Sequence, residues 1–362
     1  MSEKESRGAP QLILAVNPGS TSTKVALAEG GELCCEETLS HSSEELVNFN
    51  HYQEQLHFRI GVVEEFLSRQ KVPTSQLAAL VGRGGLLKPL HSGAYRVSEA
   101  MLQDLVSGKY GVHASNLGGQ IVAALAAPHN LPALIIDPVS VDEFCPEARL
   151  SGLPELPRQS MVHALNTRAI AHRHAAVMGV TLDDLNVVVA HLGGGISIVP
   201  IRQGKMIDAN NANQGGPLSP ERAGTLPVYD LVRLCYSGKY NEKDMLRRVA
   251  GGGGLSAHLG ENDLRKVEQR AADGEAQADA VLEAMYYQIA KEIGAMAVTL
   301  KGQCSAILLT GGMAYSQRLR STLEQYLAWL APIFPYPGEE ELRALVEGAW
   351  RVLQGWEVIN EY

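Results

Sequence analysis

Apolar residues in this chain gather in short runs of strand length, and turn-forming residues close most of them. Residues 12–16 (LILAV) form the first run and Asn17-Pro18-Gly19 closes it, because Pro presets φ and Gly accepts φ > 0. Ser20, Thr21, Ser22 and Thr23 follow, and Lys24 leads into a second strand over 25–28. Gly30-Gly31 then predicts a hairpin into a third strand over 32–39. The spacing of Ile60, Val63, Phe66 and Leu67 predicts a helix within 42–70. Further buried strands are expected at 77–81, ending in Gly82-Arg83-Gly84-Gly85, and at 133–136, ending in Asp137-Pro138. Helices are expected over 97–106, 117–127 and 158–178.

The opening pattern recurs half a chain later. Residues 187–190 (VVVA) predict a strand, His191-Leu192-Gly193-Gly194-Gly195 a turn, 196–201 a second strand, and 206–209 a third after Gln203-Gly204-Lys205. The repeated order and spacing predict an internal duplication with two related domains facing each other. Downstream the pattern is mostly helical (228–236, 242–249, 276–300, 316–330). Within it lie a buried strand at 306–309, the turn Thr310-Gly311-Gly312, and a last strand at 333–336. Pro337-Gly338 precedes Glu339-Glu340-Glu341, whose carboxylates suit the start of a closing helix.

Composition narrows the function. The chain has 362 residues, 45% hydrophobic and 20% charged, a globular balance that suggests about two domains. A net charge of −9 with no basic block argues against a nucleic-acid partner. No apolar run reaches the roughly 20 residues of a membrane span. The polar start MSEKESRGAP lacks the core of a signal peptide, so a cytoplasmic location is expected. Five cysteines without C-x-x-C spacing predict reduced, mostly buried thiols.

The chemistry centres on the glycine turns. A loop of small hydroxyl residues exposes backbone N–H groups and admits close approach of a phosphate; an ordinary hairpin has the same local chemistry. No P-loop or dinucleotide fingerprint is present. Arg83 and Arg222 each sit in a Gly-bracketed turn, and a guanidinium offers fixed charge and a planar donor fork for carboxylate or phosphate. Of eleven histidines, His191 ends a strand directly before the triple-Gly turn. No histidine pair has the spacing of a zinc helix.

The run Asn17-Pro18-Gly19-Ser20-Thr21-Ser22-Thr23-Lys24 resembles the first signature of the acetokinase family, N-x-G-S-[ST]-S-x-K, and His191 to Gly195 resembles its H-L-G-x-G. NPGSTSTK, HASNLGGQ, DPVSVDEF, HLGGGISI, GGPLSPERAGTLP, LTGGMAYS and YPGEEEL are most similar to the butyrate kinase branch. The motifs extend from residue 12 to about 354.

The resemblance implies an α/β fold of two duplicated actin, Hsp70 and sugar-kinase-like (ribonuclease H-like) domains with an interdomain cleft. The expected domains are 1–150 and 151–337, with 338–362 packing back on the first. It implies reversible, direct in-line phosphoryl transfer between ATP/ADP and butanoate or a similar short-chain carboxylate, with Mg²⁺, in a homo-oligomer. Alternatives are a kinase preferring acetate, propionate or isobutyrate, and, in another class, a non-catalytic ATP-driven switch. By the same resemblance Arg83, Asp137, His163 and Arg222 are catalytic. Asn17, Ser20, Ser22, His191, Gly193, Gly194, Gly195, Gly311 and Gly312 hold the nucleotide, His113 lies on the substrate side, and Asn17 and Glu340 are near the metal, although spacing does not separate Glu340 from Glu339 and Glu341 in that role. Two departures from the acetate kinase pattern stand out: Asn166 and Thr167 occupy the end of its H-G-T-S-H run, and Gly194 replaces the Asn of H-L-G-N-G.

Overall fold

A computed structural model describes residues 11–362. The chain divides into two compact units: the chain up to Val141 together with Glu340–Tyr362, and Asp142–Glu339.

In the first unit, β1 (Leu12–Pro18), β2 (Ser22–Glu29) and β3 (Glu32–Ser40) form an antiparallel meander. On the other side of β1, β4 (Leu77–Arg83) and β6 (Ala133–Ile136) run parallel to it. The short β5 (Ala94–Arg96) and β12 (Ile359–Asn360) extend that edge, giving the order β12-β5-β6-β4-β1-β2-β3. Leu14, Val16, Val25, Leu27 and Leu80 pack with Val63, Phe66, Leu117 and Ile121 from the helices Leu56–Arg69 and Asn116–Ala126. The helix Glu341–Leu353 returns to this unit and packs on β1, β4 and β6.

In the second unit, β7 (Asn186–Leu192), β8 (Ile196–Arg202) and β9 (Lys205–Met206) form the meander. β10 (Ala306–Gly311) and β11 (Ile333–Pro337) add in parallel, so the order is β11-β10-β7-β8-β9. Val188, Ala190 and Leu192 bury against Leu282, Met285, Tyr286, Ile289 and Ile293 of the helix Ala276–Val298. The strand sequence around β1 (β3-β2-β1-β4-β6) therefore repeats around β7 (β9-β8-β7-β10-β11), which is the duplicated α/β frame expected from the recurring pattern.

Several expected boundaries differ, each for a local reason. The first boundary falls at Val141, not 150, because Cys145 N–H donates to Ile207 O (2.9 Å) and Glu143 accepts from Met206 N–H (2.9 Å). Both bonds tie residues 142–150 to the second unit. The helix expected over 42–70 is interrupted: Asn48 and Asn50 bond locally to Glu44 O and Glu54, leaving only Ser43–Leu46, a 3₁₀ turn and Leu56–Arg69. The helix expected over 158–178 starts at Ala164, because the Arg158 side chain is held by Ala148 O and Ala209 O. β9 is shorter than expected. The Asn210 side chain takes the place of a strand partner, accepting from Ile198 N–H (2.6 Å) and donating to Ile196 O (2.8 Å). The cysteines are free, as expected, but Cys34 and Cys235 are exposed, not buried. Among the described residues no helix is long and apolar enough to cross a membrane.

Candidate active site

Ligand sites in open α/β sheets lie beyond the carboxyl ends of the parallel strands. In the first unit those ends carry the expected residues. Val16 pairs with Gly82 and Arg83 with Ile136, so Asn17, Arg83 and Asp137 emerge side by side from β1, β4 and β6. A cavity of about 220 Å³ opens there, lined by Asn17, Gly19, Ser22, Arg83, His113 and Glu341 among others. Ser20 is exposed and outside its lining.

Glu341 ties this cluster together. Asn17 Nδ2 donates to its Oε2 at 2.6 Å, and Arg83 forms an ion pair with its other oxygen. The acid joined to Asn17 is thus one residue beyond the expected Glu340. Glu340 is the N-cap residue, with non-helical φ −95° and ψ 58°, and its carboxylate stands 3.7 Å from Arg343 on the same helix. Glu341 is the first helical residue, and that step in phase turns it toward the strand ends.

Asp137 is buried, with φ 39°, and does not line the cavity. Its Oδ1 accepts from Gly93 N–H at 2.6 Å while its own N–H donates to Gly93 O at 3.0 Å, a clamp that fixes the end of β6. His113 Nδ1 bonds Ser115 Oγ at 2.8 Å. Loss of solvation, and after it the Arg83 charge, lowers the His113 pKa.

In the second unit the triple-Gly turn joins β7 to β8. The rings of His163 and His191 stack with centroids 3.9 Å apart and planes 12° apart. His163 Nδ1 bonds Ser197 Oγ (3.0 Å), and His191 Nδ1 lies 3.0 Å from Asn166 Oδ1. The other ring nitrogen of His191, Nε2, lies 3.1 Å from Glu339 Oε1.

The turn needs glycine for room. A Cβ on Gly193 would lie 2.8 Å from Glu339 Oε1, and one on Gly195 2.7 Å from Arg222 Cζ. The Arg222 guanidinium therefore rests directly on the turn. Ser219 fastens the two segments: its Oγ donates to Gly194 O (2.7 Å) and accepts from Arg222 N–H (3.2 Å). Burial pulls the Arg222 pKa down, and Glu221 pulls it the other way. Gly194 and Gly312 line a second cavity of about 920 Å³, shared with Glu221, Arg265, Tyr315 and Glu339. Its size is in the range of small-molecule and cofactor pockets. Gly311, at φ +87°, closes against Leu192 O and lies beside that cavity without lining it.

Sequence reasoning missed Asn166 as the partner of His191 and Ser219 as the fastener of Arg222, and it named Glu340 without separating Glu339, Glu340 and Glu341. Asn166 and Ser219 lay within the quoted motifs or beside them, but only the fold reveals their partners.

Two buried histidines make stability depend on pH. Loss of solvation lowers the pKa of His41 and His174 below the ordinary value, with Arg59 adding to the first. Below about pH 6.5 the unfolded chain then binds more protons than the native one, so this contribution is full above that value and is lost progressively as pH falls from there through the lowered native values. The melting temperature should be lower near pH 5.5 than near pH 7.5, and His174→Gln should flatten part of the slope. A wild-type melting temperature that stays level across that interval would contradict the assignment.

The sequence pattern of the acetokinase family matches residues 157–331. A protein of Caldanaerobacter subterraneus named "Probable butyrate kinase 2" is 49% identical over 97% of this chain and 99% of its own length. "Butyrate kinase 2" of Clostridium acetobutylicum is 46% identical over 97% and 99%. The crystal structure of Porphyromonas gingivalis acetate kinase shares the fold, with TM-score 0.77 and 16% identity over 94% of this chain and 99% of that one.

Proposed function

The chain belongs to the acetokinase family, and from that premise we propose that it transfers the terminal phosphoryl group of ATP reversibly to butanoate. The observation that carries this reading is the full-length likeness to relatives named butyrate kinases. The geometry supports it in chemical terms. A carboxylate is ionised at neutral pH and needs no base to become a nucleophile. The obstacle is the meeting of two anions, and catalysis consists of positioning and charge neutralisation.

In this reading Arg83, set by Glu341 and flanked by His113, receives the carboxylate. Arg222, resting on the triple-Gly turn, neutralises the transferring phosphoryl oxygens. His163 donates a hydrogen bond to that group, and His191, oriented by Asn166, supports it through the ring stack. Asp137 acts at one remove by fixing a strand end beside Arg83. The cavity lined by Gly194 and Gly312 takes the nucleoside, and the turns at 17–22 and 193–195 take the phosphates.

Mg²⁺ fits the donor set of the first cavity. Asn17 Oδ1 and the Glu341 carboxylate are hard oxygen donors, and this cation commonly takes one or two carboxylates with phosphates and water. When bound, the ion would neutralise phosphate charge.

The test is an assay of ADP release with acids of two to five carbons. Turnover should peak at butanoate, with neighbouring acids within about 10–200-fold, since one methylene is worth only ~1–3 kcal/mol. ADP release unchanged by every acid would remove the kinase reading. A peak at acetate or a branched acid would retain the reaction class and change the substrate. A cytoplasmic homo-oligomer belongs to the same reading, and sedimentation would measure its size.

A further inference from the structure

Arg59 is an apparent anomaly of the first unit. It lies on the helix Leu56–Arg69, on the stripe shared with Val63, Phe66 and Leu67, and is fully buried. Its guanidinium makes five hydrogen bonds, all to neutral acceptors. Nη1 donates to Ser22 O and to Thr23 Oγ1 (3.0 Å each), and Nη2 to Ser20 O (3.3 Å). Nε and Nη2 both donate to Gln55 Oε1 (3.0 and 2.8 Å). The facing ionisable groups are His41, which bonds Thr23 Oγ1 at 2.9 Å, and Tyr52. Burial brings the guanidinium down to about 10, so it stays charged at neutral pH. A buried cation ordinarily sits beside an anion, because an uncompensated charge is costly inside a protein. Among the described residues no carboxylate forms an ion pair with Arg59.

The missing counter-charge has an obvious place. Ser20 O and Ser22 O belong to the turn between β1 and β2. A trans peptide aims its N–H opposite to its C=O, so gripping Ser20 O from one side turns Thr21 N–H to the other. A cation on the carbonyl also polarises the peptide and strengthens that N–H as a donor. We propose that Arg59 is a positioning residue whose buried charge orients and polarises the turn at residues 19–23 to receive a phosphoryl oxyanion. The inference rests on the nucleotide-binding reading above. It adds that the bound phosphoryl group supplies the counter-anion this guanidinium lacks.

Calorimetric titration of the full-length protein with ADP, inorganic phosphate and adenosine tests this. Arg59→Met removes the charge and keeps an unbranched stem. It should weaken ADP and phosphate about tenfold, equivalent to ~1.4 kcal/mol, and leave adenosine within twofold. Arg59→Lys should restore ADP binding to within about threefold of wild type. ADP binding unchanged in Arg59→Met, or equal losses for ADP and adenosine, would overturn the proposal; the second result would mark a purely structural role. If Arg59→Met does not fold, Arg59→Lys decides: near-normal phosphate affinity supports the role of charge, and a tenfold loss in a folded variant refutes it. Failure of the carboxylate-kinase reading shows separately, as absent turnover by a wild type that still binds ADP.

Discussion

Arg222→Ala should lower kcat/KM for butanoate by about three orders of magnitude, the scale on which a single guanidinium stabilises a phosphoryl-transfer transition state. The loss should fall on kcat. The cavity proposed for the nucleoside is lined by other residues, so the ADP dissociation constant should move less than about fivefold. Arg222→Lys should recover little, because an ammonium keeps the charge but loses the planar fork that rests on Gly195. Coupled assay with equilibrium binding separates the terms. Near-normal turnover in Arg222→Ala would remove this residue from the reaction. A collapse of ADP affinity parallel to kcat would make it a nucleotide-binding residue.

Glu341→Gln should reduce turnover about 100-fold, the usual consequence of misplacing a catalytic group by a fraction of its length. Glutamine keeps an acceptor for Asn17 but loses the charge that holds Arg83. Arg83 would then be oriented less firmly and carry an uncompensated charge. Glu340→Gln, one residue earlier and directed to Arg343, should cost less than about threefold. Steady-state kinetics of the two variants side by side would decide between neighbours. Equal losses, or the reverse order, would return the role to Glu340.

This pair of glutamates marks where the sequence stops being readable. Strand positions and their closing turns followed from periodicity and turn chemistry. So did the placement of Asn17, Arg83 and Asp137 at the ends of β1, β4 and β6. The duplicated frame was legible because one order of strands and glycine turns occurs twice. The choice among Glu339, Glu340 and Glu341 depends on the phase of a helix at its first residue. Periodicity does not resolve that, since all three carboxylates suit a helix start.

Partnership across the chain was equally hidden. Asn166 and His191 are 25 residues apart and Asn17 and Glu341 are 324 apart, and neither pair has a spacing rule. Arg59 did leave a trace. An arginine four residues before Val63 and seven before Phe66 falls on the apolar stripe of its own helix, where a charge calls for a reason. Reading that face as core hid the one polar residue on it.

The first unit is discontinuous, and that shapes how the protein is made. Residues 142–339 are translated between its two segments. During synthesis the sheet of β1, β4 and β6 emerges well before the helix Glu341–Leu353 that packs on it. Apolar surface meant for Leu342, Leu345, Val346 and Ala349 therefore stays uncovered while almost 200 further residues are added, an interval in which a nascent chain is open to aggregation or chaperone capture. Folding of the inserted unit on its own would replace a long flexible loop by a compact one before the helix arrives, easing the entropy of closure. The residue that completes the Asn17–Arg83 cluster thus emerges only after the whole inserted unit, so assembly of that cluster waits for the synthesis of residues 142–339.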